Sequence, residues 1–179
     1  MRDFAYSRLF RTTDIEEKAL AVYHFLNEAK KMEKRGFYNP HEAEQVKIKA
    51  GTLKGIDNAA ELYDALRHAW CEATCAPRLR PQWSKDNMTV GQCSITSFLV
   101  QDLFGGDVYG VPLKEGGYHC FNVVDGHLFD LTSEQFGEEA KNLDYSLKYP
   151  QQREEHFKDQ DKYNRYLELV GLLWDYAGE

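Results

Sequence analysis

The chain is poor in covalent bracing. Four cysteines (Cys71, Cys75, Cys93 and Cys120) in 179 residues are too few for a disulfide framework, and a chain of this length can bury a core without one. It is also short of positive charge, with 22 Lys and Arg against 29 Asp and Glu. That balance argues against a protein that grips nucleic-acid phosphates, and against one held on an anionic membrane by a basic face. Long apolar runs are missing: Leu169 to Trp174, near the end, falls well below the roughly 18 residues of a membrane span. The opening Met1-Arg2-Asp3-Phe4 meets an acid at once and has no apolar stretch behind it. No export signal is therefore expected, and the thiols are expected to be reduced in a cytoplasm. Internal repeats and low-complexity tracts are likewise missing.

What is present is enough for a packed fold, with 42% hydrophobic and 13% aromatic residues. Asp14 is placed to cap a long helix whose stripe is Ile15, Ala19, Val22 and Leu26, closed by Lys30, Lys31, Lys34 and Arg35. A short polar stretch, His41 to Ala50, follows. Asp57 is expected to cap a second helix running toward Pro77, with Leu62, Leu66, Ala69 and Ala73 on its buried side. Residues 77–91 read as an ordered loop. A third helix is expected from Gln92 to Phe104, stopped by Gly105-Gly106. The period then changes from helical to extended. Residues 107–113, 118–124 and 127–131 read as strands, the last two joined by Asp125-Gly126, a pair that favours a two-residue type I′ turn. Thr132-Ser133-Glu134-Gln135 reads as a capping box, and a final helix carries Tyr163, Tyr166, Leu167, Val170 and Trp174. The fold class is α+β: an N-terminal helical extension over residues 1–56, then an α+β core with a C-terminal helix over 57–179, forming one compact domain.

One thiol is chemically placed. Cys93 stands where the third helix begins, and unpaired N–H groups at a helix N-terminus favour a thiolate. The hairpin supplies its partners. A two-residue turn at Asp125-Gly126 pairs Asn122 with Phe129 and Phe121 with Asp130, so His119, Phe121, Val123 and Asp130 share one face. His119 and Asp130 are then diagonal neighbours, the carboxylate–imidazole pair that fixes a catalytic tautomer. Asn122 falls on the other face with Cys120; a one-residue bulge would bring it forward in place of Asp130. Cys93, His119 and Asp130 fit the roles of nucleophile, base and orienting group. His68, Cys71 and Cys75 share a face if the second helix runs through all three, but three donors on one rigid helix make a poor zinc site, so no metal or cofactor is implied.

A resemblance rests on Asn87, on Gly91-Gln92-Cys93-Ser94-Ile95-Thr96, and on Leu99-Val100-Gln101-Asp102-Leu103-Phe104-Gly105-Gly106. It continues in His119-Cys120-Phe121-Asn122 and Asp130-Leu131-Thr132-Ser133-Glu134-Gln135-Phe136. Over about residues 83–137 these motifs resemble the YunG-like family, small bacterial proteins without an established activity. More remotely, the order Cys, His, Asp on helix, strand and strand is similar to papain-like and transglutaminase-like cysteine enzymes. Papain-like enzymes carry an oxyanion-hole glutamine six positions before the cysteine, and that position is Asn87. The Cys-to-His interval of 26 residues is far shorter than in papain, and the Trp that usually follows the papain cysteine is missing. The resemblance and the facing argument together imply a cysteine-dependent hydrolase or acyltransferase acting on an amide or ester. Cys93, His119 and Asp130 form its triad, and the Cys93 N–H, with Asn87 or Gln92, receives the oxyanion. Asn122 joins these amides as a polar group for the substrate. A non-catalytic module binding a peptide or partner on an enzyme-like fold is the competing expectation. Gly116-Gly117, just ahead of His119, suits either a substrate-facing backbone or an ordinary hairpin loop.

Overall fold

A computed structural model describes residues 17–20, 22–23 and 35–178. The expected cap at Asp14, the stripe residues Ile15 and Leu26, and the cluster Lys30, Lys31 and Lys34 lie outside the described residues; residues 17–20 and 22–23 are helical. The chain divides into two compact units, Met1–Gly36 and Phe37–Glu179. Residues 37–56 belong with the second, where Phe37, Ala43, Val46, Leu53 and Ile56 are buried in the main core.

The second unit is α+β. Its elements are α1 (Pro40–Gln45), α2 (Ala59–Ala69), α3 (Cys93–Phe104), β1 (Asp107–Pro112), β2 (Tyr118–Val124), β3 (His127–Phe129), α4 (Arg153–His156) and α5 (Gln160–Ala177). Two 3-10 segments, Pro77–Gln82 and Ser133–Asn142, lie between them. The first occupies part of the stretch expected to be loop.

Three ends differ from the sequence expectation. Asn58, not Asp57, caps α2: its side chain accepts from the Ala60 and Glu61 N–H groups, while the Asp57 N–H donates to the Glu61 carboxylate. The helix stops at Ala69, well short of Pro77, because Trp70 turns to extended backbone and its indole N–H donates to Thr96 on α3. Cys71 and Cys75 therefore leave the helix that would have aligned them with His68. At residues 132–135 there is no capping box. The Thr132 hydroxyl donates to Asp130, and the Gln135 amide turns back to the Thr132 carbonyl.

The sheet has the order β1-β2-β3, antiparallel throughout. Asn122 faces Phe129 and Val124 faces His127, the register expected of a two-residue turn. Asp125 (φ 51) and Gly126 (φ 87) both take the left-handed conformation that a type I′ turn requires. The strand expected over 127–131 ends at Phe129; Asp130 instead bridges to Tyr38, ahead of α1. Helix α3 is buried along most of its length, with Ile95, Phe98, Leu99, Val100 and Phe104 inside, as suits a central helix packed between the sheet and α5. Its first turn opens beside β2. No helix among the described residues is long and apolar enough to cross a membrane.

Candidate active site

The first pair joins β2 to the residue just past the end of β3. His119 and Asp130 are 0% and 1% exposed, and the imidazole Nε2 lies 2.5 Å from the Asp130 Oδ2. Three further donors converge on this carboxylate: the Thr132 N–H (3.0 Å) and Thr132 hydroxyl (3.1 Å) on Oδ1, and the Tyr145 hydroxyl (2.9 Å) on Oδ2. Four donors with distinct directions hold the carboxylate in one orientation, so the imidazole it holds is fixed as well. Tyr145 is itself clamped, stacked on Tyr38 at 4.2 Å and edge-on to Phe121 at 5.1 Å. Phe136 meets the His119 ring edge-on at 4.7 Å.

Cys93 stands at the first turn of α3, partly exposed and packed against the small cluster of Phe98, Val108 and Cys120. Cys120 and His119 are the side chains that act on its thiol. The Gln135 amide lies 3.3 Å from the His119 Nδ1. With Nε2 on Asp130, Nδ1 is the ring nitrogen left to exchange a proton with a neighbour.

The electrostatics follow from these contacts. Cys93 is pulled well below the ordinary thiol range. The Cys120 hydrogen bond is the largest cause; burial opposes it, and His119 adds to it by hydrogen bond and charge. Burial pushes the His119 pKa down, yet the Asp130 carboxylate and Cys93 outweigh it and carry the value from 6.5 up to about 10. Thiolate and imidazolium thus stabilise one another. Cys120 is pushed well up, first by its hydrogen bond to Cys93 and then by burial, so it stays a thiol. Burial and Asp130 likewise push the Tyr145 hydroxyl up, and it stays a donor.

The thiol opens into a cavity of about 540 Å³ whose lining includes Cys93, Ser94, Gly91, Gly117, Tyr118 and His156. A second cavity of about 410 Å³ is lined by Gln135 and Phe136, and the two share Arg78 and Leu79. Gly91 shapes the approach. Its φ is +70, and a side chain there would place its first carbon 2.7 Å from the Cys75 Sγ and 2.9 Å from the Ala76 N.

The two amides expected at the oxyanion, Asn87 and Gln92, and the amide expected for the substrate, Asn122, each take other partners. Asn87 accepts from the Thr89 hydroxyl and lines a different cavity, with Tyr63 and Glu134. Gln92 is fully buried; its Nε2 donates to the Cys71 carbonyl, and its Oε1 has no donor among the described residues. Asn122 donates to the Ser97 carbonyl and ties β2 to α3. The amide beside the imidazole is Gln135, which the sequence reading assigned to a capping box. The carboxylate donor Tyr145 went unnoticed, since it reaches the site from an aperiodic segment. No cluster of three or more metal-ligating side chains occurs among the described residues.

Comparison with known proteins agrees with the motifs. The family described as YunG protein matches residues 58–176. The chain is similar to the uncharacterized protein YunG of Bacillus subtilis (strain 168), at 35% identity over 78 residues, which cover 44% of this chain and 64% of that one. The match thus spans just under two thirds of the relative's length. No solved structure matches.

Proposed function

The chain belongs to the YunG protein family, and from that starting point we propose that it is a cysteine-dependent hydrolase or acyltransferase acting on an amide or ester, built on a papain-like or transglutaminase-like arrangement. One observation carries this reading. His119 is held on Asp130 through Nε2 and acts together with Cys120 to draw the Cys93 thiol well below its ordinary range, which supports a thiolate, a proton carrier and its orienting group in one site.

In this mechanism the Cys93 thiolate attacks the carbonyl carbon, forming a C–S bond as the carbonyl oxygen becomes an oxyanion. The Cys93 N–H is in the first turn of α3, where it has no intrahelical acceptor, so it is free to donate to that oxygen. The Gln135 amide, beside Nδ1, is the side chain suited to join it. His119 passes its Nδ1 proton to the leaving amine or alkoxide as the C–N or C–O bond breaks, leaving a thioester on Cys93. A water or an amine then attacks the thioester while Nδ1 takes its proton, which returns the thiolate–imidazolium pair. Asp130 stays ionised and keeps the ring in place. The cavity beside Cys93 admits the acyl group, and the Gln135 side admits the rest of the substrate. Four free thiols support work in a reducing cytoplasm.

Alkylation and acylation test the proposal together. Iodoacetamide should label Cys93 well below the pH at which an ordinary thiol reacts, and His119→Ala should move that profile up toward the ordinary range. p-Nitrophenyl acetate should leave one acetyl group on Cys93 with a burst of nitrophenol. Four thiols of equal, sluggish reactivity and no acetyl on Cys93 would overturn the proposal in favour of a non-catalytic binding module.

A further inference from the structure

The Cys93–Cys120 contact favours the Cys93 thiolate, and it also sets two sulfurs side by side. Cys93, at the start of α3, packs against the small satellite core that Cys120, in the middle of β2, forms with Phe98 and Val108, and each thiol acts on the other. One thiol is partly exposed beside a cavity and the other is 0% exposed. A reagent entering the cavity therefore meets Cys93 first and Cys120 only through it. We propose that Cys93 and Cys120 are a peroxide-responsive pair, in which Cys93 is oxidised by a hydroperoxide and Cys120 resolves it to a disulfide that shuts the site.

The steps balance. The Cys93 sulfur attacks the outer peroxide oxygen, an S–O bond forms, and the O–O bond breaks. The departing hydroxide takes the Nδ1 proton of His119 and leaves as water. Cys93 is now a neutral sulfenic acid, oxidised by two electrons, and the peroxide oxygen has been reduced. The Cys120 sulfur then attacks the Cys93 sulfur: the S–S bond forms, the S–O bond breaks, and a second water leaves with the Cys120 proton.

The second step is the demanding one, because Cys120 is buried and protonated. Oxidation of Cys93 eases it. The largest influence holding Cys120 as a thiol is its hydrogen bond to Cys93, and the Cys93 charge adds to it. Both act while Cys93 is a thiolate, and the neutral sulfenic acid carries no such charge. The same event frees Nδ1 of His119, which lost its proton in the first step. The neighbouring cysteines are placed less well. The Cys75 Sγ donates to the Ala76 carbonyl, and Cys71 interacts with Thr74, so neither is held against Cys93.

The inference does not depend on the proposed acyl chemistry, since it needs only a reactive Cys93 and its contact with Cys120. Trypsin makes it directly readable. Lys114 separates Cys93 from Cys120, while Cys71 and Cys75 share a peptide bounded by Arg67 and Arg78. The full chain is treated with one equivalent of hydrogen peroxide, then blocked with N-ethylmaleimide and digested. The expected result is a loss of two hydrogens in intact mass, two of the four thiols blocked from labelling, and a peptide linking Cys93 to Cys120 that dithiothreitol releases. In Cys120→Ala, checked for native circular dichroism, Cys93 should instead gain oxygens, and dithiothreitol should no longer restore its labelling once two or more are added. Oxygen addition to Cys93 in the unmodified chain without the linked peptide would overturn the inference. So would a Cys93 link to Cys71 or Cys75, or full peroxide resistance at Cys93. None of these readouts involves an acyl substrate, so the two proposals can fail separately.

Discussion

The His119 Nε2 and the Asp130 Oδ2 meet at 2.5 Å with both residues out of contact with solvent. A buried charge pair of this kind is costly to break from one side, because the survivor keeps its desolvation penalty and loses its partner. Asp130→Ala should therefore cost about 3–5 kcal/mol of folding stability, measured by urea unfolding. Asp130→Asn keeps the volume and separates the two roles. It should fold, and its Cys93 acetylation should slow by as much as about 10⁴-fold because His119 loses the partner that fixes its tautomer. An asparagine variant that acetylates at the parent rate would remove Asp130 from the proposed mechanism.

His119 and Cys93 give stability a pH signature. His119 has a raised folded pKa, so its contribution is complete below 6.5 and is lost as pH rises toward about 10. Cys93 has a depressed one, so its contribution is complete above 9.0 and is lost as pH falls toward its folded value. Below 9.0, and above both 6.5 and the folded Cys93 value, the two slopes oppose one another and their joint contribution is level. Urea midpoints should show that plateau and decline on both sides of it. Cys93→Ser removes one arm, so its midpoint should fall with pH across the range where the parent is flat.

Gln135 separates acylation from simple thiol reactivity. Its amide stands 3.3 Å from the His119 Nδ1, on the side away from Asp130. If it donates to the oxyanion, Gln135→Ala should slow acetylation of Cys93 by roughly 10²-fold. Iodoacetamide builds no oxyanion, so alkylation of the same variant should change little. Equal slowing of both reactions would make Gln135 a support for the imidazole rather than a donor to the substrate.

Gly91 tests how tightly the start of α3 is set. An alanine there would meet the Cys75 Sγ and the Ala76 backbone while holding a φ of +70 that L residues rarely adopt. Gly91→Ala should cost about 1–3 kcal/mol in a thermal or urea melt. It should also lower the alkylation rate of Cys93, since the first turn of the helix must shift to relieve the contact.

The sheet side of the site was legible because its rule is short. Asp125-Gly126 sets the turn, the turn sets the register as far as Phe129, and the next residue, Asp130, meets His119. Helix α3 was legible from its apolar run and from the glycines that close it. The other contributors obey no period. Gln135 comes from a 3-10 segment and Tyr145 from the irregular chain after it, so no spacing points either side chain at His119. The end of α2 is not legible in the sequence, because no proline or glycine marks it; a contact distant in sequence, Trp70 with Thr96, settles where the helix stops. The amides nearest Cys93 in sequence, Asn87 and Gln92, were favoured for the oxyanion, whereas folding turns Asn87 to Thr89 and commits Gln92 to the Cys71 carbonyl.

Tyr38 lies outside the stretch matched by the family, yet it holds the site from behind. Its carbonyl accepts the Asp130 N–H, its own N–H donates to the Ser133 hydroxyl, and its ring stacks on Tyr145. A fragment trimmed to residues 58–176 would keep every reacting group and lose this backing. Without it the Asp130 backbone loses its neighbour and Tyr145 loses the ring it lies against. Boundaries for expression or domain grafting should therefore start before Phe37, and any protein carrying only the matched stretch must find another segment to take the place of Tyr38.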